Sequence, residues 1–212
     1  MKENNHLEQL SEIRSMMERS TRFISLSGLS GVMAGLYALA GAYMAHRRIT
    51  NSENYQEYIK SYSTIYEGRI NQDIIFFVLL GLVVMFFSFV TGYVLTKRRA
   101  DKNNQKMFDK IARRLLINMM IPLATGGVLC AIFLYHGYWG LVAPLTLIFY
   151  GLALINGSKY SLETIRFLGI FEVCIGLISA FDIGHGLYYW ALGFGVLHIV
   201  YGIYMWWRFE RK

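Results

Sequence analysis

The sequence predicts an all-α protein: a six-transmembrane-helix bundle preceded by an N-terminal amphipathic cytoplasmic helix. Three observations carry this. Of the 212 residues, 55% are hydrophobic, 16% aromatic and only 17% charged, whereas a soluble domain has about a quarter charged. The charged residues gather in short segments and leave six long apolar runs. The Lys and Arg residues also fall mainly on alternate connections, as a chain threading a bilayer requires.

Residues 1–22 come first. Leu7, Leu10, Ile13 and Met17 share one helical face. Such a segment can lie on the membrane surface, pair with a partner helix or pack beneath its own bundle. It has no apolar core and no small-residue cleavage site, so it is not read as a signal peptide. The bundle occupies 23–207 and a short tail 208–212. Its apolar runs are Phe23–Ala45, Ile74–Leu95, Leu115–Tyr135, Trp139–Ile155, Ile165–Phe181 and Leu187–Trp207. A helix needs about 20 residues to cross the hydrocarbon core. The fifth run is short, but Arg166 and Asp182 can snorkel to the two interfaces.

Span one is rich in small residues, with Ser27, Gly31 and Gly35 at four-residue steps. Such a face lets helices approach closely, within the bundle or across a homo-oligomer. Pro122 and Pro144 are expected to kink spans three and four. Cys130 and Cys174 fall inside apolar runs as small fillers and imply no disulfide framework.

Orientation follows from the basic residues. Seventeen Lys and Arg lie in the N-terminal segment, the second and fourth connections and the C-terminus, against four elsewhere. Both termini are therefore expected in the cytoplasm. Trp139 and Trp190 then fall near the outer interface and Trp206 and Trp207 near the inner one. Outside lies one sizeable loop, Arg47–Asp73, rich in Tyr and Asn. Inside, Lys97–Arg114 reads as a basic helix continuing spans two and three. The net charge of +7 is assigned to orientation and anionic lipid headgroups rather than to nucleic acid.

Two ionisable residues stand at mid-membrane depth, Glu172 and His198. At a rise of about 1.5 Å per residue, Glu172 lies roughly 15 Å from Asp182 and His198 roughly 20 Å from His185. A glutamate side chain spans that mismatch. Gly169, Glu172 and Gly176 share one face of span five, and Gly195, His198 and Gly202 one face of span six. The two glycine faces are expected to pack together and hold Glu172 against His198, with Tyr201 and Tyr150 extending the network. A charge at this depth costs on the order of 3 kcal/mol or more, so such residues are paired, neutral or functional. A proton relay, an ion or substrate contact, cofactor ligation and a purely structural hydrogen bond all fit.

A second group, His46, His136, Asp182 and His185, falls at outer helix ends and has zinc-type ligand chemistry. Its spacing matches no metal motif, so no metal is expected there. Haem would need His198 as an axial ligand, with no second His at matching depth; no cofactor is expected. There is no Walker motif, dinucleotide fingerprint, nucleophile elbow or His-Glu-x-x-His. A weak internal repeat links the last two hairpins: His136-Gly137 precedes Tyr150-Gly151-Leu152, and His185-Gly186 precedes Tyr201-Gly202-Ile203. Both run in the same sense, and their spacings differ by two residues.

The stretches RSMMERSTRFISLSGLSGVMAGLYALAGA and GFGVLHIVYGIYMW resemble a family of small six-helix bacterial inner-membrane proteins. The resemblance implies a bacterial inner-membrane setting and transfers no active site. Three classes of function follow. The amphipathic helix and basic loop favour a membrane-embedded sensor or regulatory protein with a cytoplasmic protein partner. A small proton- or ion-coupled transporter would use Glu172 and His198, but lacks the paired broken helices of many carriers. A membrane enzyme or cofactor protein ranks last.

Overall fold

The computed structural model describes residues 27–51, 72–102 and 110–211. The amphipathic helix expected over 1–22 lies outside them, as do most of the loop after span one and the centre of the basic connection. The described residues contain helices and short turns and no strand.

Six helices are long and apolar enough to cross a membrane. They are α1 (Gly28–Thr50), α2 (Gln72–Lys102), α3 (Lys110–Tyr135), α4 (Trp139–Tyr160), α5 (Thr164–Phe181) and α6 (Ile183–Phe209). The apolar runs locate them, but the helices outlast the runs, because helical hydrogen bonding continues past the last apolar residue. In this way α2 carries Lys97, Arg98, Arg99 and Lys102, and α3 begins with Lys110. Both α4 and α6 open with a 3-10 turn, Trp139–Leu141 and Ile183–His185. Gly137 precedes α4 at φ 81°, a conformation that only glycine adopts without strain. Pro122 lies inside α3. Pro144, expected to kink span four, instead sits in the first turn of its α-helical part, Val142–Gly157, where its missing N–H breaks no helical bond.

The helices pack in the order α3, α4, α5, α6, α1, α2, with α6 also touching α4. The closest associations are α4 with α5 and α6 with α1. Glycines explain both. A Cβ on Gly151 would lie 2.5 Å from the Gly169 carbonyl oxygen, and one on Gly169 would lie 2.6 Å from the Gly151 carbonyl oxygen. In the other pair, a Cβ on Gly28 would lie 2.5 Å from the Gly202 oxygen, and one on Gly202 would lie 2.6 Å from the Gly28 oxygen. The correspondence continues. A Cβ on Gly176 would meet Ile148 Cγ1 at 2.7 Å and one on Gly35 would meet Ile199 Cγ1 at 2.6 Å. The Tyr-Gly pairs of the sequence repeat, Tyr150-Gly151 and Tyr201-Gly202, thus sit at equivalent crossings.

The two helices are wound differently ahead of these crossings. Residues Ala191–Leu197 of α6 are π-wound, and an i→i+5 turn takes in an extra residue. The corresponding stretch of α4 is α-helical.

These contacts correct one expectation. The glycine faces of spans five and six do not pack against each other. Gly169 and Gly176 face α4, while Gly195 meets Gly35 and Leu39 of α1 and Gly202 meets Gly28 and Val32. Gly31 faces Gly202 and the His198 carbonyl, so the small-residue face of span one is used within the chain. Glycines serve the closest crossings, and those are not between α5 and α6.

At its edge position α2 packs chiefly against α1, through contacts such as Gly41 with Val84 and the Tyr37 hydroxyl with Thr91 Oγ1 at 3.2 Å. Leu79, Leu82, Met85, Phe86 and Phe89 remain exposed, a surface suited to lipid rather than water. One polar tie secures the basic end of this helix. The Glu210 carboxylate accepts from the Gly28 backbone N–H and, at 3.4 Å, from the Ser27 hydroxyl. It also pairs with Arg99 at 2.8 Å, and Arg99 donates to the Phe209 carbonyl at 3.3 Å. One carboxylate therefore caps α1 and ties α2 to the end of α6. Glu210→Ala is expected to lower stability by about 1–3 kcal/mol, since it removes a cap and a charge-assisted bond. Thermal unfolding in mild detergent checks this.

Candidate functional site: a buried tyrosine–histidine–glutamate cluster

The site forms where α4, α5 and α6 meet. Glu172 projects from α5 with 0% exposure, and His198 from α6 with 6%. His198 Nδ1 lies 3.3 Å from Glu172 Oε1. It also lies 3.1 Å from the Gly193 carbonyl oxygen, which can only accept. Nδ1 therefore carries a hydrogen. On the other edge of the ring, Nε2 is 2.8 Å from the Tyr150 hydroxyl of α4. With neutral His198, Tyr150 donates to Nε2; with the imidazolium, Nε2 donates to Tyr150. The three side chains line up as Tyr150, His198 and Glu172, one residue from each helix.

Its geometry depends on the π-wound stretch. Gly193 lies within it, outside the regular i→i+4 ladder, and its carbonyl takes the His198 side chain five residues on. The same glycine makes room for the carboxylate. A Cβ there would sit 2.5 Å from Glu172 Oε2 and 2.5 Å from Leu147 Cδ2. Phe194 stacks on His198 with centroids 5.9 Å apart and packs against Tyr150 at 5.1 Å. Aromatic rings and Leu147 thus surround the polar groups.

Neither Glu172 oxygen has a hydrogen-bond partner of good geometry among the described residues; His198 Nδ1 approaches Oε1 to 3.3 Å. Buried polar atoms normally close their hydrogen bonds. The pair can hold one proton, on the carboxyl or on the imidazole, without leaving net charge inside the bundle. Both His198 nitrogens are engaged, Nδ1 with Gly193 and Nε2 with Tyr150, which leaves none free as an axial ligand.

Tyr201 stands near Tyr150 but bonds to another group. Its hydroxyl is 3.1 Å from Thr164 Oγ1 at the start of α5. With Tyr150 it packs against the buried cluster of Leu154, Ile165 and Leu168. Sequence reasoning missed Gly193 and Leu147. It also missed the Glu210 tie, whose only sequence signal is a lone carboxylate among the basic residues of the C-terminal tail.

At the other helix ends His46 and His185 both pack on Tyr188, with ring centroids 6.0 and 6.1 Å away, while His136 lies apart from them on Tyr135. His185 Nδ1 meets Asp182 Oδ1 at 2.8 Å, and Tyr189 donates to Oδ2 at 3.0 Å. The described residues hold no group of three or more metal-type ligands. The hydrogen bond from His185 holds the Asp182 carboxyl below the usual carboxylate range. A lowered folded-state value means that this contribution to stability is present above the ordinary carboxylate range. It fades as pH falls through the lowered value. His185→Ala is expected to return the Asp182 titration towards the ordinary range, read by carbon NMR of the labelled carboxyl.

No family model, curated protein or solved structure matches the chain.

Proposed function

We propose that this is a multi-pass protein of the bacterial inner membrane, with both termini cytoplasmic, acting as a membrane-embedded sensor or regulatory protein. The Tyr150–His198–Glu172 relay is its proton-sensitive element. One observation carries the reading: a fully buried carboxylate with both oxygens short of hydrogen bonds faces a histidine 3.3 Å away. A pair serving only to fix helix register would be expected to close its bonds, and buried ionisable residues in membrane spans are functional by default. The enclosure of both residues supports sensing over passage of a substrate. Lys97, Arg98, Lys102, Lys110, Arg113 and Arg114 supply a basic surface for anionic headgroups and for a cytoplasmic protein partner.

The π-wound stretch of α6 favours one second reading, a proton-coupled transporter, since carriers bind at interrupted helices. One experiment separates the two. Reconstituted in liposomes, the protein is examined by infrared difference spectroscopy of the carboxyl band as pH changes, alongside proton flux. The sensor reading expects a titrating band in the native chain, its loss in Glu172→Gln, and flux no greater than in protein-free vesicles. A flux abolished by Glu172→Gln would establish the carrier instead. A native chain with no titrating band would remove the proton-sensitive element.

A further inference from the structure

The pattern of glycine crossings divides the molecule. On one side, α4 interlocks with α5 and carries α3 through Gly126 against Phe149 and Gly157 against Met119. On the other, α6 interlocks with α1, which carries α2, and Glu210 ties the ends of all three together. Where the two layers meet, α6 touches α4 and α5 less extensively than it touches α1. Here a Cβ on the glycines of α6 would meet side chains at short range, Gly193 against Glu172 and Leu147 at 2.5 Å, and backbone only at 3.8 Å, Gly186 against the Gly140 oxygen. The relay lies on this boundary. Tyr150 and Glu172 come from one layer, and His198 and Gly193 from the other.

We infer that the α3–α4–α5 and α2–α1–α6 layers move against each other as two bodies, and that the proton on the Glu172–His198 pair sets their relative position. The inference rests on the proton-sensitive reading above and specifies what the proton regulates. Within each layer, backbone sits on backbone at the glycine crossings, and packed interfaces of that kind shift as units rather than deform. Across the boundary the polar contacts are side-chain ones, and their donors and acceptors exchange roles with protonation. Adding a proton gives the carboxyl a donor or gives Nε2 a hydrogen to offer Tyr150. Either change alters which group of one layer must face which group of the other. The titratable groups facing the pair are Tyr150 from α4, Glu172 from α5 and His198 from α6; α1 meets this part of α6 with Gly31 and Gly35. The bistable element is the boundary itself, and a ligand as small as a proton biases it only by binding the two positions differently.

The test is a set of distances by pulsed electron resonance in lipid nanodiscs, in a background of Cys130→Ala and Cys174→Ala. Leu36→Cys with Phe181→Cys spans the boundary, from α1 to α5. Leu36→Cys with Val200→Cys stays within one layer, and Val128→Cys with Phe181→Cys within the other. All four positions are exposed. Between about pH 5 and about pH 8, the boundary distance is expected to shift while both within-layer distances hold. In Glu172→Gln the boundary distance should become independent of pH. Equal shifts within the layers would overturn the inference. So would an unchanged boundary distance in a chain whose carboxyl band titrates. A band that does not titrate removes the proton reading itself, which keeps the two failures distinct.

Discussion

His198→Ala is expected to be among the most destabilising single substitutions in the bundle, at about 3–5 kcal/mol. The cost is not the loss of the pair's own attraction, which desolvation largely offsets. It arises because Glu172, 0% exposed, is left without the imidazole 3.3 Å away, Tyr150 loses its hydrogen-bond partner at 2.8 Å, and the ring leaves a cavity beside Phe194. Glu172→Gln should cost less, since the amide is neutral and its size is kept. The double variant then decides what the pair is. Because the two side chains touch, their effects should not add, and the double variant is expected to be no less stable than His198→Ala alone. Thermal unfolding of all four proteins in mild detergent gives the cycle. Strict additivity would mean that the 3.3 Å approach carries no coupling.

The contact between these residues was partly legible in the sequence, and the reason it was only partly so is instructive. Two ionisable side chains at similar depth in consecutive spans identify each other, because neither can face lipid alone. Depth counted at the α-helical rise left them about 5 Å apart. A π-wound stretch advances less per residue, and the one at Ala191–Leu197 draws His198 back towards Glu172. Nothing in ALGFGVL announces that winding in advance. The glycines were legible as packing residues, but their partners were not. Spacing shows which face of a helix is small and is silent about which helix fills it. Gly169 and Gly176 turned out to serve α4, and Gly195 and Gly202 to serve α1. Span limits erred on the short side for a related reason: hydropathy ends where the charges of Lys97–Lys102 begin, while the α2 backbone continues through them. Glu210 is not legible as a tie, because a charge among basic tail residues ordinarily reads as solvated. Its role comes from α1 starting beside it, a meeting of residues 182 positions apart.

Gly202→Ala tests the architecture as His198→Ala tests the site. The added methyl would sit 2.6 Å from both the Gly28 oxygen and the Val32 nitrogen. These are backbone atoms, so no side-chain rotation relieves the clash and α1 must move off α6. A loss of about 1–3 kcal/mol is expected for such overpacking, reduced only slightly by the better helix propensity of alanine. Gly81 supplies the control. Nothing lies within 4 Å of a Cβ there, so Gly81→Ala should be neutral or stabilise by up to about 1 kcal/mol. The equivalent crossing gives a sharper test. Gly151→Ala meets the Gly169 oxygen at 2.5 Å and the Val173 nitrogen at 2.9 Å and should cost about as much as Gly202→Ala. If the two crossings belong to separate interlocked bodies, each substitution strains its own pair, and the double variant should lose the sum of the two. A double variant much better or much worse than that sum would mean that strain passes freely between the crossings, and the bundle would then behave as one body.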